Sequence, residues 1–143
     1  MAILTDTPSI QRLLARVRRV AVLGIKMEPW EPAYYVPAYS IKAGLDVVPV
    51  PVYYPDVREI MDRPVYRRLV DVPPPIDLVN VFRRSEKVPE HLEDMLAAKP
   101  GAVWMQSGIA NDTVAEALSA AGIDVVQNRC LMVELQRMGR VSD

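Results

Sequence analysis

The chain is poor in the residues on which many kinds of site depend. It has one cysteine, which excludes an internal disulfide and suits a reducing cytoplasm. One histidine and one cysteine are too few for a Cys/His cluster, so no metal site is expected. No apolar run approaches the roughly 20 residues that span a bilayer. Residues 1–8 have no basic region before a hydrophobic core, so no secretory signal peptide is expected either.

An excess of charge of one sign is also lacking. The formal net charge is −1, which gives no basis for binding nucleic acid or an anionic membrane surface. Six glycines accompany thirteen prolines, so the connections are expected to be stiff rather than flexible. The 143 residues, half of them hydrophobic, predict one domain over residues 1–143 with a sizeable core.

The most informative stretch that is present is Val20-Ala21-Val22-Leu23-Gly24. An unbroken run of apolar and small residues is typical of a strand that is buried on both faces of a parallel sheet. Gly24 lies where such a strand must turn sharply toward a helix. A Cβ there would hinder both the turn and the approach of a ligand phosphate to the backbone. The sequence therefore predicts a binding turn at Gly24.

Strand and helix patterns alternate along the rest of the chain with short connections, which predicts an open parallel α/β sheet with helices on both faces. We expect five to six strands in the order 3-2-1-4-5-6, with a weak edge strand near Val65 and Tyr66. The predicted strands are about Val20–Gly24, Asp46–Val50, Asp77–Phe82, Gly101–Met105 and Ile123–Val126. The first predicted helix has the Thr7 hydroxyl as its cap and Pro8 at its first position. The second covers about Ala33–Ala43, with Pro37 in its first turn. The others cover about Glu86–Ala98, Asn111–Ala121 and Leu131–Met138.

Ligands of such sheets bind at the C-terminal strand ends, where the strand order reverses. In the predicted order the reversal lies between the first strand and the Asp77–Phe82 strand. Four turns should converge there: Gly24–Lys26, Pro49–Pro51, Phe82–Ser85 and Gln106–Gly108.

The usual signatures of a nucleotide enzyme are missing from these turns. Gly24 is followed by no further glycine at the dinucleotide spacing, and no carboxylate ends the second strand, so NAD is not expected. His91 lies in mid-helix and is expected at the surface. Cys130 opens the last helix, where the helix dipole would lower its pKa, although a small buried packing role is the simpler interpretation. No catalytic residue is predicted.

Three cations stand in the converging turns, namely Lys26, Arg83 and Arg84. Cations beside helix N-termini suit phosphate groups. The alternative is that they are solvated loop charges with no ligand.

Several stretches together resemble a known family: the small stand-alone CoA-binding proteins, which are similar to the N-terminal domain of the succinyl-CoA synthetase alpha subunit. The Trp-x-Gln-x-Gly and Arg-Cys elements, in that order and spacing, are the most specific. The resemblance implies a Rossmann-like fold and CoA, or an acyl-CoA, as the ligand. The stretches are Val20–Gly24, Val47–Val50, Val79–Arg83, Val103–Ile109 and Asn128–Glu134.

The resemblance also implies where CoA would lie. Its nucleotide would approach Gly24, Ile25, Lys26 and the turn of Pro49, Val50 and Pro51. Its pantetheine arm would pass the two later turns, formed by Phe82, Arg83, Gln106, Ser107, Gly108 and Ile109. Four further residues are expected near the site: Tyr35, Arg84, Asn128 and Cys130.

Two departures from the family pattern bear on function. The family commonly has Gly-Ala-Ser where this chain has Gly24-Ile25-Lys26, and it has an asparagine and a basic residue after Pro-Val where this chain has Pro51-Val52-Tyr53. Either Lys26 replaces the missing cation, or the binding of CoA has weakened or changed. The synthetase's phosphohistidine segment has no match here, so ligase chemistry does not carry over.

Three functions remain open at this stage. The first is a non-catalytic CoA or acyl-CoA binding module. The second is an enzyme that acts on a CoA thioester or another nucleotide through Cys130 or Lys26. The third is a degenerate fold that serves protein interaction, with a protein partner that the sequence does not indicate.

Overall fold

The computed structural model of the protein describes residues 2–140. The strands are β1 (Arg19–Leu23), β2 (Asp46–Val50), β3 (Glu59–Ile60), β4 (Arg63–Pro64), β5 (Leu78–Val81), β6 (Ala102–Met105) and β7 (Asp124–Val126). The α-helices are α1 (Thr7–Arg16), α2 (Pro32–Lys42), α3 (Leu92–Ala98), α4 (Asp112–Ala120) and α5 (Leu131–Arg137). Two 3₁₀ segments cover Leu69–Asp71 and Ser85–His91.

Five parallel strands form one sheet in the order β2-β1-β5-β6-β7. This confirms the predicted α/β class and the reversal of strand order between β1 and β5. The predicted edge strand at Val65 and Tyr66 is wrong. Tyr66 contributes a single backbone hydrogen bond, from its N–H to the Pro49 carbonyl, at 3.0 Å. The segment before it instead forms the small antiparallel pair β3 and β4.

The sheet is covered on both faces, as the unbroken apolar strands predict. Val20, Val22 and Trp104 pack on one face against α1, α2 and α5. Val79 and Val103 pack on the other face, against the helices α3 and α4. All four residues of β5 and of β6 are buried. The strands therefore lie in the middle of the core and leave only their ends open to a ligand.

Three helix boundaries differ from the prediction. Asp6, not Thr7, caps α1, because its carboxylate accepts the Ser9 N–H at 3.0 Å. The predicted helix from Glu86 begins as a 3₁₀ segment and becomes α-helical only at Leu92. Pro89 lies inside that segment and has no N–H to continue an α-helical ladder. The last helix ends at Arg137.

Two prolines inside regular elements are tolerated for identifiable reasons. Pro37 was expected in the first turn of its helix but is the sixth residue of α2. The Ala33 carbonyl, which the N–H of residue 37 would normally meet, accepts the Lys26 N–H instead, at 3.1 Å. Pro49 lies in β2, an edge strand whose Pro49 carbonyl points outward to Tyr66, so no ladder bond to β1 is lost.

Candidate functional site

A crevice of about 840 Å³ opens at the C-terminal ends of β1, β5 and β6, where the strand order reverses. The starts of α2 and α5 form its sides. Ten residues predicted in or near the site line it: Lys26, Tyr35, Phe82, Arg83, Arg84, Gln106, Ser107, Gly108, Ile109 and Cys130. The sequence thus predicts the position of the crevice and most of its floor.

Gly24 lies beneath the crevice rather than in its lining. Its N–H donates to the Val50 carbonyl at 2.9 Å, and the Phe82 N–H donates to the Leu23 carbonyl at 2.8 Å, so the sheet continues on both sides of this turn. A Cβ at Gly24 would lie 2.2 Å from the Phe82 carbonyl oxygen. The glycine is therefore required by the packing of β1 against β5. Ile25 is completely buried and also does not line the crevice.

Lys26 is the cation that the β1 turn presents to the crevice. Its ammonium lies 5.2 Å from the centroid of the Tyr53 ring, a cation–π distance. Its N–H is held by the Ala33 carbonyl of α2. Among residues 2–140 the structure pairs no carboxylate with its Nζ, so its charge is available to an anion.

The turn after β2 folds onto this loop. The Tyr54 hydroxyl accepts the Met27 N–H at 3.2 Å and donates to the Glu28 carboxylate at 2.8 Å. Burial, and next the adjacent Glu28, raise the pKa of Tyr54, so the phenol stays protonated as this donor. The Arg67 guanidinium reaches the carbonyls of Tyr53, Tyr54 and Val57. This segment therefore braces the Lys26 loop.

The predicted part played by Pro49, Val50 and Pro51 changes accordingly. All three are buried, and none of them lines the crevice. The Val50 carbonyl instead accepts a hydrogen bond from the Gly24 N–H and so fixes the turn after β1. They support the Lys26 loop from the side of β2.

Arg83 is fixed by a residue that the sequence placed at the surface. Its Nε donates to His91 Nε2 at 3.1 Å, and its guanidinium lies 3.4 Å from Glu90. The Arg83 side chain is only 12% exposed. Burial, and next the nearby guanidinium of Arg83, lower the pKa of His91, so the ring is neutral and can accept this bond. His91 is therefore half-buried and bound to Arg83, and it is not the free surface side chain that the sequence predicts.

Trp104 and Gln106 position the turn that opens α5. Trp104 Nε1 donates to the Arg129 carbonyl at 2.8 Å, and the Gln106 side-chain oxygen accepts the Leu131 N–H at 2.9 Å. Gln106 thus satisfies one of the free donors at the start of this helix. Cys130, the residue between these two contacts, is held at the crevice wall.

The loops after β5, β6 and β7 are joined to one another. Asn128 accepts the Gly108 N–H on its side-chain oxygen at 2.7 Å, and Ser85 Oγ accepts the Ala110 N–H at 3.1 Å. Asn128 lies outside the crevice and lines an adjoining cavity. Asn128 therefore fixes the loop that contains Gly108 rather than lining the crevice.

Eight lining residues were not among the predicted site residues: Glu31, Pro32, Ala33, Val36, Ser85, Glu86, Met132 and Val133. Ser85 does end one of the turns that were predicted to converge there. Most of them lie on the first turns of α2 and α5. The signal that could have found them is the position of each helix start directly after a converging turn.

Within the described part of the chain, no group of three or more His, Cys, Asp or Glu side chains could hold a metal ion. No helix of residues 2–140 is long and apolar enough to cross a membrane.

Comparison with known proteins decides the family. The model of the CoA binding domain matches residues 18–136. The chain belongs to the CoA-binding domain family. A relative in Bacillus subtilis, the uncharacterized protein YneT, is 32% identical over 124 residues, which are 87% of this chain and 90% of that protein.

Solved structures agree on the fold of this CoA-binding domain. The protein cell-free ID.343 from Thermus thermophilus is 38% identical with a TM-score of 0.85, over 94% of this chain and 99% of that one. A hypothetical protein from Pyrococcus horikoshii is 28% identical with a TM-score of 0.85, over 93% of this chain and 92% of that one. A dinucleotide-forming acetyl-coenzyme A synthetase from Ca. Korarchaeum cryptofilum shares the fold at 22% identity and a TM-score of 0.62, over 75% of this chain and 25% of its own.

Proposed function

We propose that the protein is a cytoplasmic, single-domain CoA-binding module that holds CoA or an acyl-CoA in the crevice and carries out no chemistry of its own. The observation that carries this proposal is the crevice itself. It lies at the reversal of strand order in a chain of the CoA-binding domain family, and Lys26, Arg83 and Arg84 line it. Its volume of about 840 Å³ is within the ordinary range for cofactor sites, roughly 300–1,000 Å³.

The charges favour a phosphate-bearing ligand. Three cations and the two carboxylates of Glu31 and Glu86 line the crevice, which leaves an excess of one positive charge there. Arg83 is held rigid and largely buried, so a phosphate contact with it would cost little side-chain entropy. Lys26 lies on the braced loop after the neighbouring strand β1. The diphosphate would span the two.

The pantetheine arm would follow the turn after β6. Gln106, Ser107, Gly108 and Ile109 line that part of the crevice. Cys130 lies beside Gln106, whose side-chain oxygen accepts the N–H of the next residue, Leu131. The positive φ of Gly108, 83°, turns the backbone there, and its N–H is occupied by Asn128. The arm would therefore lie along a turn that is already ordered before binding.

The non-catalytic part of the proposal rests on how the reactive side chains are used. His91 Nε2 already accepts from Arg83, so it is not free to take a proton from a nucleophile. Among residues 2–140, the recorded side-chain hydrogen bonds give Cys130 no histidine, lysine or carboxylate partner. A nucleophile normally needs such a base to be activated.

Isothermal titration with CoA, acetyl-CoA, NAD and ATP tests the ligand. We expect CoA and acetyl-CoA to bind and NAD to bind at least tenfold more weakly. Tight NAD binding without a response to CoA would contradict the proposal. Incubation with acetyl-CoA, followed by measurement of free thiol over time, tests the second part. Enzyme-dependent thiol release would show that the protein is an enzyme acting on a CoA thioester.

A further inference from the structure

A second cavity, of about 470 Å³, adjoins the crevice on the side of α5. Ser107, Cys130 and Val133 line both, so the two spaces meet at the point where the pantetheine arm would end. Three charged side chains of the second cavity come from the turn before α5 and from α5 itself: Arg129, Glu134 and Arg137.

These three side chains form a compact charged cluster. Glu134 Oε2 lies 3.0 Å from Arg137 Nη1 and 3.6 Å from Arg129 Nη1. The Glu134 side chain is only 4% exposed, whereas those of Arg129 and Arg137 are 28% and 55% exposed. The single carboxylate of Glu134 is thus shared by two guanidinium groups. Both arginines, Arg129 and Arg137, also line the cavity.

The charges of this cluster do not balance. Two guanidinium groups and one carboxylate leave one positive charge, which a second carboxylate would neutralise. A guanidinium has five N–H donors, and Arg137 uses only one of them in its recorded contact with Glu134.

We propose that this second cavity receives the acyl group of a CoA thioester, and that the favoured acyl group is a short chain that ends in a carboxylate. The inference rests on the proposed function, since it needs CoA in the crevice. The thioester would lie near Ser107 and Cys130, and the terminal carboxylate would meet Arg137 and Arg129.

The same cluster disfavours a long fatty acyl chain. An apolar chain in this cavity would remove water from the guanidinium groups of Arg129 and Arg137 without giving either a hydrogen bond, which is costly for charged groups. The volume of about 470 Å³ is also little more than half that of the crevice. A short, polar acyl group therefore fits this space best.

The test compares two acyl groups of nearly equal length. Pentanoyl-CoA and glutaryl-CoA differ only in a terminal methyl against a terminal carboxylate. By isothermal titration we expect glutaryl-CoA to bind about 10- to 150-fold more tightly, the range for a charge-assisted contact. Arg137→Gln should remove most of that preference and leave the affinity for CoA itself unchanged.

Two further variants guard against a change of fold. Arg137→Lys keeps the charge and should keep part of the preference. Arg68→Gln is the matched control, because Arg68 is also an exposed arginine in an ion pair with a carboxylate three residues on. Arg68→Gln should change neither the preference for glutaryl-CoA over pentanoyl-CoA nor the affinity for CoA. Thermal melting of each variant confirms folding.

The outcomes separate the two proposals. Should CoA bind while pentanoyl-CoA and glutaryl-CoA bind equally well, the acyl site is wrong and the CoA crevice stands. Should Arg68→Gln reduce the preference as much as Arg137→Gln does, the effect is one of overall charge and the acyl site is again wrong. If neither CoA nor any thioester binds, both proposals fail.

Discussion

Gly24 and Phe82 approach so closely across β1 and β5 that a Cβ at position 24 would lie 2.2 Å from the Phe82 carbonyl oxygen. No rotation of a side chain can relieve that contact, because the atom it meets is backbone. Gly24 also has a φ of 83°, which side-chain-bearing residues rarely adopt. The glycine that the sequence marked as a binding turn is thus first a requirement of the sheet.

Substitution of Gly24 should therefore destabilise the fold rather than only weaken binding. We expect Gly24→Ala to lower the free energy of unfolding by about 2–5 kcal/mol, the sum of the strain of a positive φ and of overpacking. Urea denaturation measures it. Gly108→Ala is the matched control, because Gly108 has the same φ of 83° but no atom within 4 Å of its Cβ position. It should lose only about 1–2 kcal/mol. Equal losses would refute the steric argument.

The proposed phosphate contact of Lys26 predicts a loss of affinity when its charge is removed. Lys26→Ala should weaken CoA binding by about 10- to 150-fold at low salt, since a charge-assisted contact contributes about 1.5–3 kcal/mol. The loss should shrink at high salt because ions screen the contact. It should also shrink for dephospho-CoA if the 3′-phosphate is the group that Lys26 holds. Isothermal titration measures each case.

Lys42→Ala provides the control for Lys26. Lys42 is exposed at the last turn of α2, at the end of the helix that points away from the crevice, and it does not line the crevice. Its removal changes the net charge by the same amount and should leave CoA affinity nearly unchanged. Lys26 would be a solvated loop charge if both variants bound CoA as well as the parent protein does.

The contact between Arg83 and His91 predicts a dependence of stability on pH. The pKa of His91 is lowered in the folded protein from its ordinary 6.5, first by burial and next by Arg83. Well above pH 6.5 the ring is neutral in both the folded and the unfolded state, so it adds no dependence of stability on pH. As the pH falls below 6.5, the unfolded chain takes up a proton that the folded protein resists, so the free energy of unfolding falls.

His91→Gln isolates this effect, because an amide oxygen can still accept from Arg83 and does not titrate. Urea denaturation at pH 7.5, 6.5 and 5.5 should show the parent losing more stability than His91→Gln over the lower interval. Parallel pH profiles for the two proteins would mean that the histidine is not held neutral by this contact.

Because Gln106 caps the first turn of α5, its substitution should lower the stability of the protein. Gln106→Met removes the acceptor of a buried N–H, that of Leu131, and should cost about 1–3 kcal/mol. The α5 turn should also open more often, so Cys130 should react faster with a thiol reagent. Gln136→Met is the control, since Gln136 is exposed on the same helix. A similar loss in both variants would contradict the capping argument.

The sequence determined the five strands of the parallel sheet, the strand order around β1 and the position of the crevice. These follow from local pattern: runs such as Val20–Leu23 have no polar face, and parallel strands with short helical connections bring their C-terminal ends to one edge. For the same reason the turns of Lys26, Arg83 and Ser107 could be placed together before any contact was known.

Tertiary structure alone decided what each site residue does. Whether Gly24 faces a ligand or the Phe82 carbonyl depends on the distance between two strands. Whether His91 is exposed or holds Arg83 depends on the path of a 3₁₀ segment. The adjoining cavity joins residues 3–5 to the start of α5. Such pairings are made between residues far apart in sequence, and hydrophobic periodicity records only which face of an element is buried, not which group it meets.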